Sequence, residues 1–403
     1  MTDFSTWTLE QYKEIAELCV NCGACYARGP IVPHNWRELP PPEWSSPPHK
    51  CPSFEYFGFR SHTGYGRILL GALFYTGRTA ISRDLIEIAY TCTSCGVCNE
   101  ICPTYQPLYG ILALRQGIVE SSMPPPEPLG KIGENIKEHQ NIFGLEKRAK
   151  PVEGLPLTGD HMYFAGCYSS YLLPRIARAA VAILQAAGVD IAYLNEEERC
   201  CGEMLRQQGN LKQFEEQAHS NIEAMRRAGV KKLITSCAHC YRTWKVDYLN
   251  VAGKLPFEVV HLSQLLPELL EEGRIKFRSE VKRDITYHDP CFLGRLGGQV
   301  YDAPRKVLTC FPGVEFKEME RYARWAYCCG GGGKITLNCY PEFAYAVGRD
   351  RVIEAKGTAN TLVTACPVCF SHMGRVARKE GIELEVEDLG VMVAEAMGAD
   401  LNG

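Results

Sequence analysis

The chain has 403 residues, of which 46% are hydrophobic and 23% are charged, and it carries a formal net charge of -3. This length and composition fit two or three domains that each bury a core, and they exclude a disordered chain. The weak negative charge, without a cluster of Lys and Arg among aromatic residues, argues against nucleic acid as a partner.

The amino-terminal residues lack the basic region and apolar stretch of a signal peptide. No apolar run reaches the roughly 20 residues that cross a bilayer, so we expect no transmembrane segment. We therefore expect a cytoplasmic protein that could still dock at the periphery of a membrane complex. In that reducing compartment the 20 cysteines are poor candidates for structural disulfides, and their Cys-x-x-Cys spacing favours metal.

Residues 1–122 are predicted to form a mostly helical module with two cysteine motifs. The second motif, Cys92-x-x-Cys95-x-x-Cys98-x-x-x-Cys102-Pro103, is the complete bacterial ferredoxin pattern, whose thiolates hold a [4Fe-4S] cube. The first motif has the same start but no fourth cysteine at the usual spacing, and its cysteines are Cys19, Cys22 and Cys25. Cys51, which also precedes a proline, is the natural replacement.

In two-cluster ferredoxin modules the cysteine before proline binds the other cluster. Applied to this sequence, that rule assigns one cube to Cys19, Cys22, Cys25 and Cys102. It assigns the other cube to Cys92, Cys95, Cys98 and Cys51. The alternative is that Cys51 is an ordinary cysteine and the second cluster is incomplete.

The proline-rich sequence at 123–128 begins a predicted Pro/Gly-rich linker that covers 123–160. Two domains, 161–279 and 280–403, then repeat one cysteine pattern. The first array contains Cys167, Cys200, Cys201, Cys237 and Cys240. The second array contains Cys291, Cys328, Cys329, Cys366 and Cys369.

Each repeat is predicted to run from a short strand into its first cysteine, and then through a helix, a strand and a Cys-Cys-Gly turn. A long helix and a further strand then lead to Cys-x-x-Cys. Alternating strands and helices indicate parallel α/β units, in which ligands gather at the carboxyl ends of the strands. The predicted fold is therefore two pseudo-symmetric α/β Cys-Cys-Gly domains preceded by an α-helical ferredoxin-like module.

The number of cysteines in each array favours iron-sulfur ligation. Tetrahedral zinc uses four ligands at most, which leaves a structural zinc protein as the minor alternative.

Gly202, Gly330 and Gly331 would let backbone N–H groups approach the sulfur atoms of a bulky cluster. The lysine after the glycine run is not followed by the Ser or Thr of a phosphate-binding loop. His239 and His288, beside array cysteines, fit hydrogen-bond partners of the ligands better than proton donors.

The two arrays resemble the Cys-Cys-Gly domains of the heterodisulfide reductase catalytic subunit. With the ferredoxin module in front, the whole chain resembles the single-polypeptide form of that iron-sulfur subunit family. The resemblance implies two cubane and two noncubane [4Fe-4S] clusters. It also implies that the array cysteines form the catalytic site, where a disulfide substrate would be reduced.

This resemblance implies partners as well, namely flavin-containing or other redox subunits of an anaerobic complex. Two alternatives remain open at the level of sequence. The chain could be a pure electron relay to another catalytic subunit, one similar to aldehyde oxidoreductase or benzoyl-CoA reductase. It could also carry electrons between a flavoprotein and quinone. No dinucleotide-binding fingerprint is present, so flavin or nicotinamide is expected on a partner.

Overall fold

The computed structural model describes residues 51–102, 106–121, 123–149 and 153–401. The predicted ligands Cys19, Cys22 and Cys25 lie outside these residues. Among the described residues, no helix combines the length and the apolar character needed to span a membrane.

The described part of the amino-terminal module is helical, as predicted. Its helices are α1 (Pro52–Phe57), α2 (Gly64–Tyr75), α3 (Arg83–Tyr90), α4 (Val97–Ile101) and α5 (Pro107–Glu120). Local sequence explains where several of them begin. Proline occupies the first turn of α1 and α5, where its missing N–H costs nothing. The hydroxyl of Ser82 caps α3 by accepting a hydrogen bond from Leu85 N at 3.2 Å.

A helix that the sequence analysis did not identify, α6 (Glu127–His139), lies within the predicted linker 123–160. Its buried side chains Leu129, Ile132 and Ile136 recur at helical spacing and join the main hydrophobic core. The carbonyl of Gln140, just after the helix, accepts a hydrogen bond from Cys200 N at 2.9 Å. The segment therefore supports the turn that carries part of the first array.

The first lobe, residues 161–279, contains a four-stranded parallel sheet with the order β2-β1-β3-β4. Its strands are β1 (His161–Phe164), β2 (Ile191–Ala192), β3 (Lys232–Thr235) and β4 (Glu258–His261). Its helices are α7 (Gly166–Tyr171), α8 (Pro174–Ala186), α9 (Glu203–Gln208), α10 (Leu211–Arg227), α11 (Ala238–Arg242), α12 (Tyr248–Ala252) and α13 (Leu262–Glu271). A π-helical turn, Thr243–Asp247, joins α11 to α12.

The second lobe, residues 280–401, repeats this topology in a sheet with the order β6-β5-β7-β8. Its strands are β5 (Arg283–His288), β6 (Val314–Phe316), β7 (Thr361–Thr364) and β8 (Glu385–Asp388). Its helices are α14 (Asp302–Thr309), α15 (Ile335–Cys339), α16 (Pro341–Thr358), α17 (Pro367–Glu380) and α18 (Leu389–Ala396). Matching strand orders confirm the predicted pair of repeated α/β domains.

Each lobe ends in a helix that packs against the other lobe. Helix α18 of the second lobe lies along α8 of the first, and α13 of the first lies along α14 of the second. Arg178 on α8 donates a hydrogen bond to the carbonyl of Leu401 at 3.2 Å. Most buried apolar side chains of both lobes belong to one continuous core. This reciprocal packing fixes the two sheets relative to each other.

Candidate metal centres

The first array is assembled from four places in the first lobe. Cys167 follows β1, the Cys200-Cys201 pair precedes α9, Cys237 follows β3, and Cys240 lies in α11. Side-chain hydrogen bonds run from Cys167 through Cys200, Cys201 and Cys240 to Cys237. All five cysteines line one small cavity of about 20 Å³. The structure therefore brings together every cysteine that the sequence assigned to this array.

The second array has the same construction in the second lobe. Cys291 follows β5, the Cys328-Cys329 pair lies in a loop before α15, Cys366 follows β7, and Cys369 lies in α17. Side-chain hydrogen bonds connect these cysteines in the same order as in the first lobe. The ligand atoms of His288, Cys329 and Cys369 lie within 4.8 Å of one another. His288 is thus in contact with the array.

Two further thiol contacts join the cysteine groups to each other. The side chains of Cys237 and Cys366 interact where strands β3 and β7 end, so the two arrays abut. Cys95 of the amino-terminal module interacts with Cys328 of the second array. The cysteine groups therefore form a continuous series from the ferredoxin-type loop through the second array to the first.

The three glycines identified from the sequence each present a backbone N–H to a cysteine sulfur. Gly202 N donates to Cys200 Sγ at 3.4 Å, and Gly330 N donates to Cys328 Sγ at 3.3 Å. Gly331 N donates to Cys329 Sγ at 3.4 Å. At Gly330, with φ of 90°, a Cβ would lie 2.2 Å from the carbonyl oxygen of Ala344. No other residue fits there without moving α16.

The protonation of the thiols shows what kind of group the arrays can hold. The thiols of Cys200 and Cys240 donate hydrogen bonds to neighbouring sulfur atoms, and these bonds together with burial raise their pKa well above the ordinary value. The hydrogen bonds that Cys201 accepts from these two thiols lower its own pKa. Five thiols gathered in one largely buried site cannot all ionise unless a multiply charged cation compensates them. Because the donors are all sulfur and exceed four, they fit a polynuclear iron-sulfur group and not a single zinc ion.

A buried ion pair holds the turn that begins the first array. Arg148 Nη1 donates to Glu198 Oε1 at 2.9 Å, and both side chains are at most 3% exposed. Glu198 also accepts hydrogen bonds from the backbone N–H groups of Ala165 at 2.8 Å and Gly166 at 3.1 Å. This carboxylate therefore fixes the turn that presents Cys167.

Asp289 has a related role in the second lobe. It forms a bidentate pair with Arg305 at 2.8 and 2.9 Å and accepts the N–H of Ala323 at 2.7 Å. Sequence reasoning missed both pairs. In each pair the acidic residue stands two positions before a cysteine of the array. That pattern is too common in sequences to identify a buried ion pair by itself.

In the amino-terminal module, Cys92, Cys95 and Cys98 are buried in the loop between α3 and α4 and in α4 itself. Cys51 lies close enough to Cys92 and Cys95 to interact with them electrostatically, and its Sγ donates to the carbonyl of His62 at 3.7 Å. Burial raises the pKa of Cys51 to about 11. The structure thus places Cys51 beside the loop that it was predicted to complete.

The same loop is held by a buried arginine that the sequence did not reveal. Arg115 on α5 donates to the carbonyl of Cys92 at 3.0 Å and to Ser94 Oγ at 3.1 Å. It also donates to the carbonyl of Gln207 in the first lobe at 2.9 Å. One guanidinium therefore ties the ferredoxin-type loop to α9.

Together, the ferredoxin-type loop and the two cysteine arrays define an iron-sulfur protein. Family models agree: a 4Fe-4S dicluster domain matches residues 14–105, and a cysteine-rich domain matches residues 161–245 and 285–374. A subunit of the dihydromethanophenazine:CoB–CoM heterodisulfide reductase of Methanosarcina barkeri is 32% identical, over 98% of this chain and 97% of that protein. The chain belongs to the family of this heterodisulfide reductase iron-sulfur subunit.

More distant similarities extend beyond that subunit. The EtfAB:quinone oxidoreductase of Syntrophomonas wolfei is 31% identical over 77% of this chain and 47% of its own length. A hypothetical protein from Helicobacter pylori shares the fold, with a TM-score of 0.52 and 13% identity over 83% of this chain and 68% of that one. The likeness to the Helicobacter pylori protein shows the fold alone.

Proposed function

We propose that this chain is the iron-sulfur subunit of a multi-subunit redox complex, in which two cubane and two noncubane [4Fe-4S] clusters carry electrons towards a disulfide. The observation that carries the proposal is the pair of complete five-cysteine arrays in contact through Cys237 and Cys366. Two such arrays side by side can serve the two sulfur atoms of one disulfide bond.

We assign each noncubane cluster to one complete array. The cube in the described part of the amino-terminal module takes Cys92, Cys95 and Cys98 with Cys51, which lies beside them. Cys102 is half-buried at the end of α4 and is assigned to the other cube with Cys19, Cys22 and Cys25. When bound, these clusters supply single electrons, so that two electrons convert RSSR′ into RS⁻ and R′S⁻.

The contacts between the cysteine groups suggest an order for electron transfer. Cys95 meets Cys328, so the second array receives electrons from the ferredoxin-type module, and the first array lies beyond it. Arg295 fixes this junction by donating to the carbonyls of Cys95 at 2.8 Å and Ala326 at 2.7 Å. A small apolar cluster that includes Cys95, Tyr327 and Phe343 surrounds the junction and keeps water away from it.

Substrate access is expected on the side of Cys167 and Cys291. These are the half-buried members of their arrays, whereas the other array cysteines are buried. The relative from Methanosarcina barkeri is named for the CoB–CoM heterodisulfide, and we propose a disulfide of this class as the substrate. Redox partner subunits, with flavin on one of them, would deliver the electrons.

A pure relay is the second candidate function, because one relative of this chain is named as an EtfAB:quinone oxidoreductase. In that case the same four clusters would pass electrons from a flavoprotein partner to an acceptor outside this chain. The two functions differ in whether a disulfide changes the spectrum of the array clusters.

Iron and acid-labile sulfide in anaerobically purified protein test the cofactor assignment. We expect about 16 of each per chain, the content of four [4Fe-4S] clusters. A value near eight would contradict the noncubane half of the proposal, and stoichiometric zinc would contradict all of it. A disulfide added to the reduced protein should then produce a new paramagnetic signal; an unchanged spectrum with full iron content favours the relay.

A further inference from the structure

Lys334 occupies an unusual place for a lysine. It is the last residue of a short helical turn, Gly332–Lys334, and is only 6% exposed. Its φ of 68° lies in the left-handed region, which disfavours a side chain with a Cβ. A non-glycine residue held in this conformation in a buried loop indicates that its side chain has a specific role.

The glycines before Lys334 allow the second lobe to reach the first. At Gly333, which also has a left-handed φ of 58°, a Cβ would lie 3.0 Å from Gln207 Cγ and 3.1 Å from Glu203 Oε1. Both of those residues belong to α9, directly after the Cys-Cys-Gly turn of the first array. The loop therefore lies against α9 and delivers the lysine to the neighbouring lobe's cysteines.

Lys334 forms a buried charged cluster with two residues of the first lobe. Its ammonium group is ion-paired with Glu203, and its Nζ lies 3.4 Å from Nδ1 of His239. His239 Nδ1 also lies 3.3 Å from Glu203 Oε1, and its ring stacks on Phe292 with centroids 4.2 Å apart. Although burial opposes both charges, Lys334 and His239 hold the pKa of Glu203 low, and Glu203 holds the pKa of Lys334 high.

This cluster belongs to the first array. Glu203, His239 and Lys334 line the same cavity as the five cysteines of that array.

The second array has a different environment. After its own Cys-Cys-Gly turn the first repeat continues directly into α9, so it sends no corresponding lysine loop towards the second array. Arg351 donates to His288 Nδ1 at 3.0 Å but is paired with Glu354 at 2.8 Å. The cation near this array is Arg295, which donates to backbone carbonyls at the junction with Cys95 and also interacts electrostatically with Cys291 and Cys328.

We propose that Lys334 is a redox-tuning residue that raises the reduction potential of the cluster that the first array would hold. An electron added at this array increases its negative charge, and a fixed cation in a dry, low-dielectric site stabilises that charge more than water-screened groups do. Glu203 opposes this effect in part and keeps the ammonium group in place. The inference rests on the proposed function, since it concerns the cluster that the first array would hold.

The test is an anaerobic redox titration of the full-length protein with its clusters, followed by electron paramagnetic resonance. In Lys334→Asn the charge is removed, while asparagine tolerates the left-handed backbone. At a fixed potential, we expect at least a tenfold lower ratio of reduced to oxidised first-array cluster, equivalent to about 59 mV for a one-electron couple. Lys334→Arg should stay near wild type. Glu203→Gln should shift the ratio in the opposite direction.

Lys282→Asn is the matched control, because Lys282 is a surface lysine of the same lobe with a side chain 78% exposed. An unchanged first-array potential in Lys334→Asn, or an equal shift in the control, would overturn the inference. If Lys334→Asn does not retain its iron, the Glu203→Gln variant provides the test instead. An unchanged or lowered potential of the first-array cluster in Glu203→Gln would contradict the proposal. Failure of the proposed function would appear earlier, as wild-type iron near eight per chain.

Discussion

The contact between the amino-terminal module and the first lobe can be broken at one glycine. Gly209 ends α9 with φ of 91°, and a Cβ there would lie 2.5 Å from both Arg115 C and Gln116 N. These are backbone atoms of α5, so no side chain can rotate away. Reaching an ordinary separation of about 3.5 Å requires a shift of about 1 Å between the module and the lobe. That shift would stretch the hydrogen bond from Arg115 to the carbonyl of Gln207, now 2.9 Å.

Gly209→Ala is therefore expected to be much more destabilising than Gly188→Ala, its matched control. Gly188 also has a left-handed φ, of 67°, but a Cβ there meets nothing within 4 Å. The left-handed backbone costs each variant about 1–2 kcal/mol. Loss of a charge-assisted hydrogen bond adds about 1.5–3 kcal/mol in Gly209→Ala alone, which gives a total of about 2.5–5 kcal/mol.

The assay is anaerobic urea unfolding followed by circular dichroism, with iron content measured on the folded protein. Because Arg115 also holds the carbonyl of Cys92, Gly209→Ala should lose iron as well as stability. Equal free energies of unfolding for the two variants would refute the reasoning, since the steric contact would then contribute nothing.

Three further predictions concern single side chains. Glu198→Ala leaves Arg148 buried without its partner and should cost about 3–5 kcal/mol in urea unfolding; a cost below about 1 kcal/mol would contradict this. Burial raises the pKa of Asp388 from 3.8 to about 7. Between about pH 4 and pH 7 the folded state therefore keeps a proton on Asp388 that the unfolded state has released, and the free energy of unfolding falls as the pH rises. Asp388→Asn should lack that decline, and its melting-temperature advantage over wild type should therefore grow from pH 5.5 to 8. Cys51→Ser should lose up to about four irons, whereas Cys310→Ser, at an exposed cysteine, should lose none.

The parallel α/β repeats and the position of the array cysteines at strand ends could be predicted because both depend on local patterns. Short apolar strands that alternate with amphipathic helices predict parallel α/β units, and a ligand directly after a strand predicts a position at the sheet's carboxyl edge. Cys237 and Cys366 lie at such ends, after β3 and β7. The contact between these two residues also depends on the packing of one lobe against the other, which no local pattern specifies.

The charged groups around the arrays could not be predicted for a related reason. Lys334 and Glu203 are 131 positions apart, and Arg115 and Gln207 are 92 positions apart. No periodicity links such residues, and each on its own resembles a surface charge. Their partners become visible only when the lobes and the amino-terminal module are packed together.

The two lobes repeat one fold, so the places where their chains differ near the cysteine motifs show what could distinguish the two arrays. The ligand spacing is nearly the same in both repeats, so the sulfur donors alone give the two arrays no reason to differ. The chain diverges directly after the Cys-Cys-Gly turns, where one repeat enters helix α9 and the other continues as a glycine loop ending in Lys334. It also diverges after the Cys-x-x-Cys motifs, where a π-helical turn interrupts the first repeat but α17 is continuous in the second. Both differences leave the ligands unchanged. If each array holds a cluster, as we propose, the lysine loop would give the two clusters different surroundings and therefore different potentials.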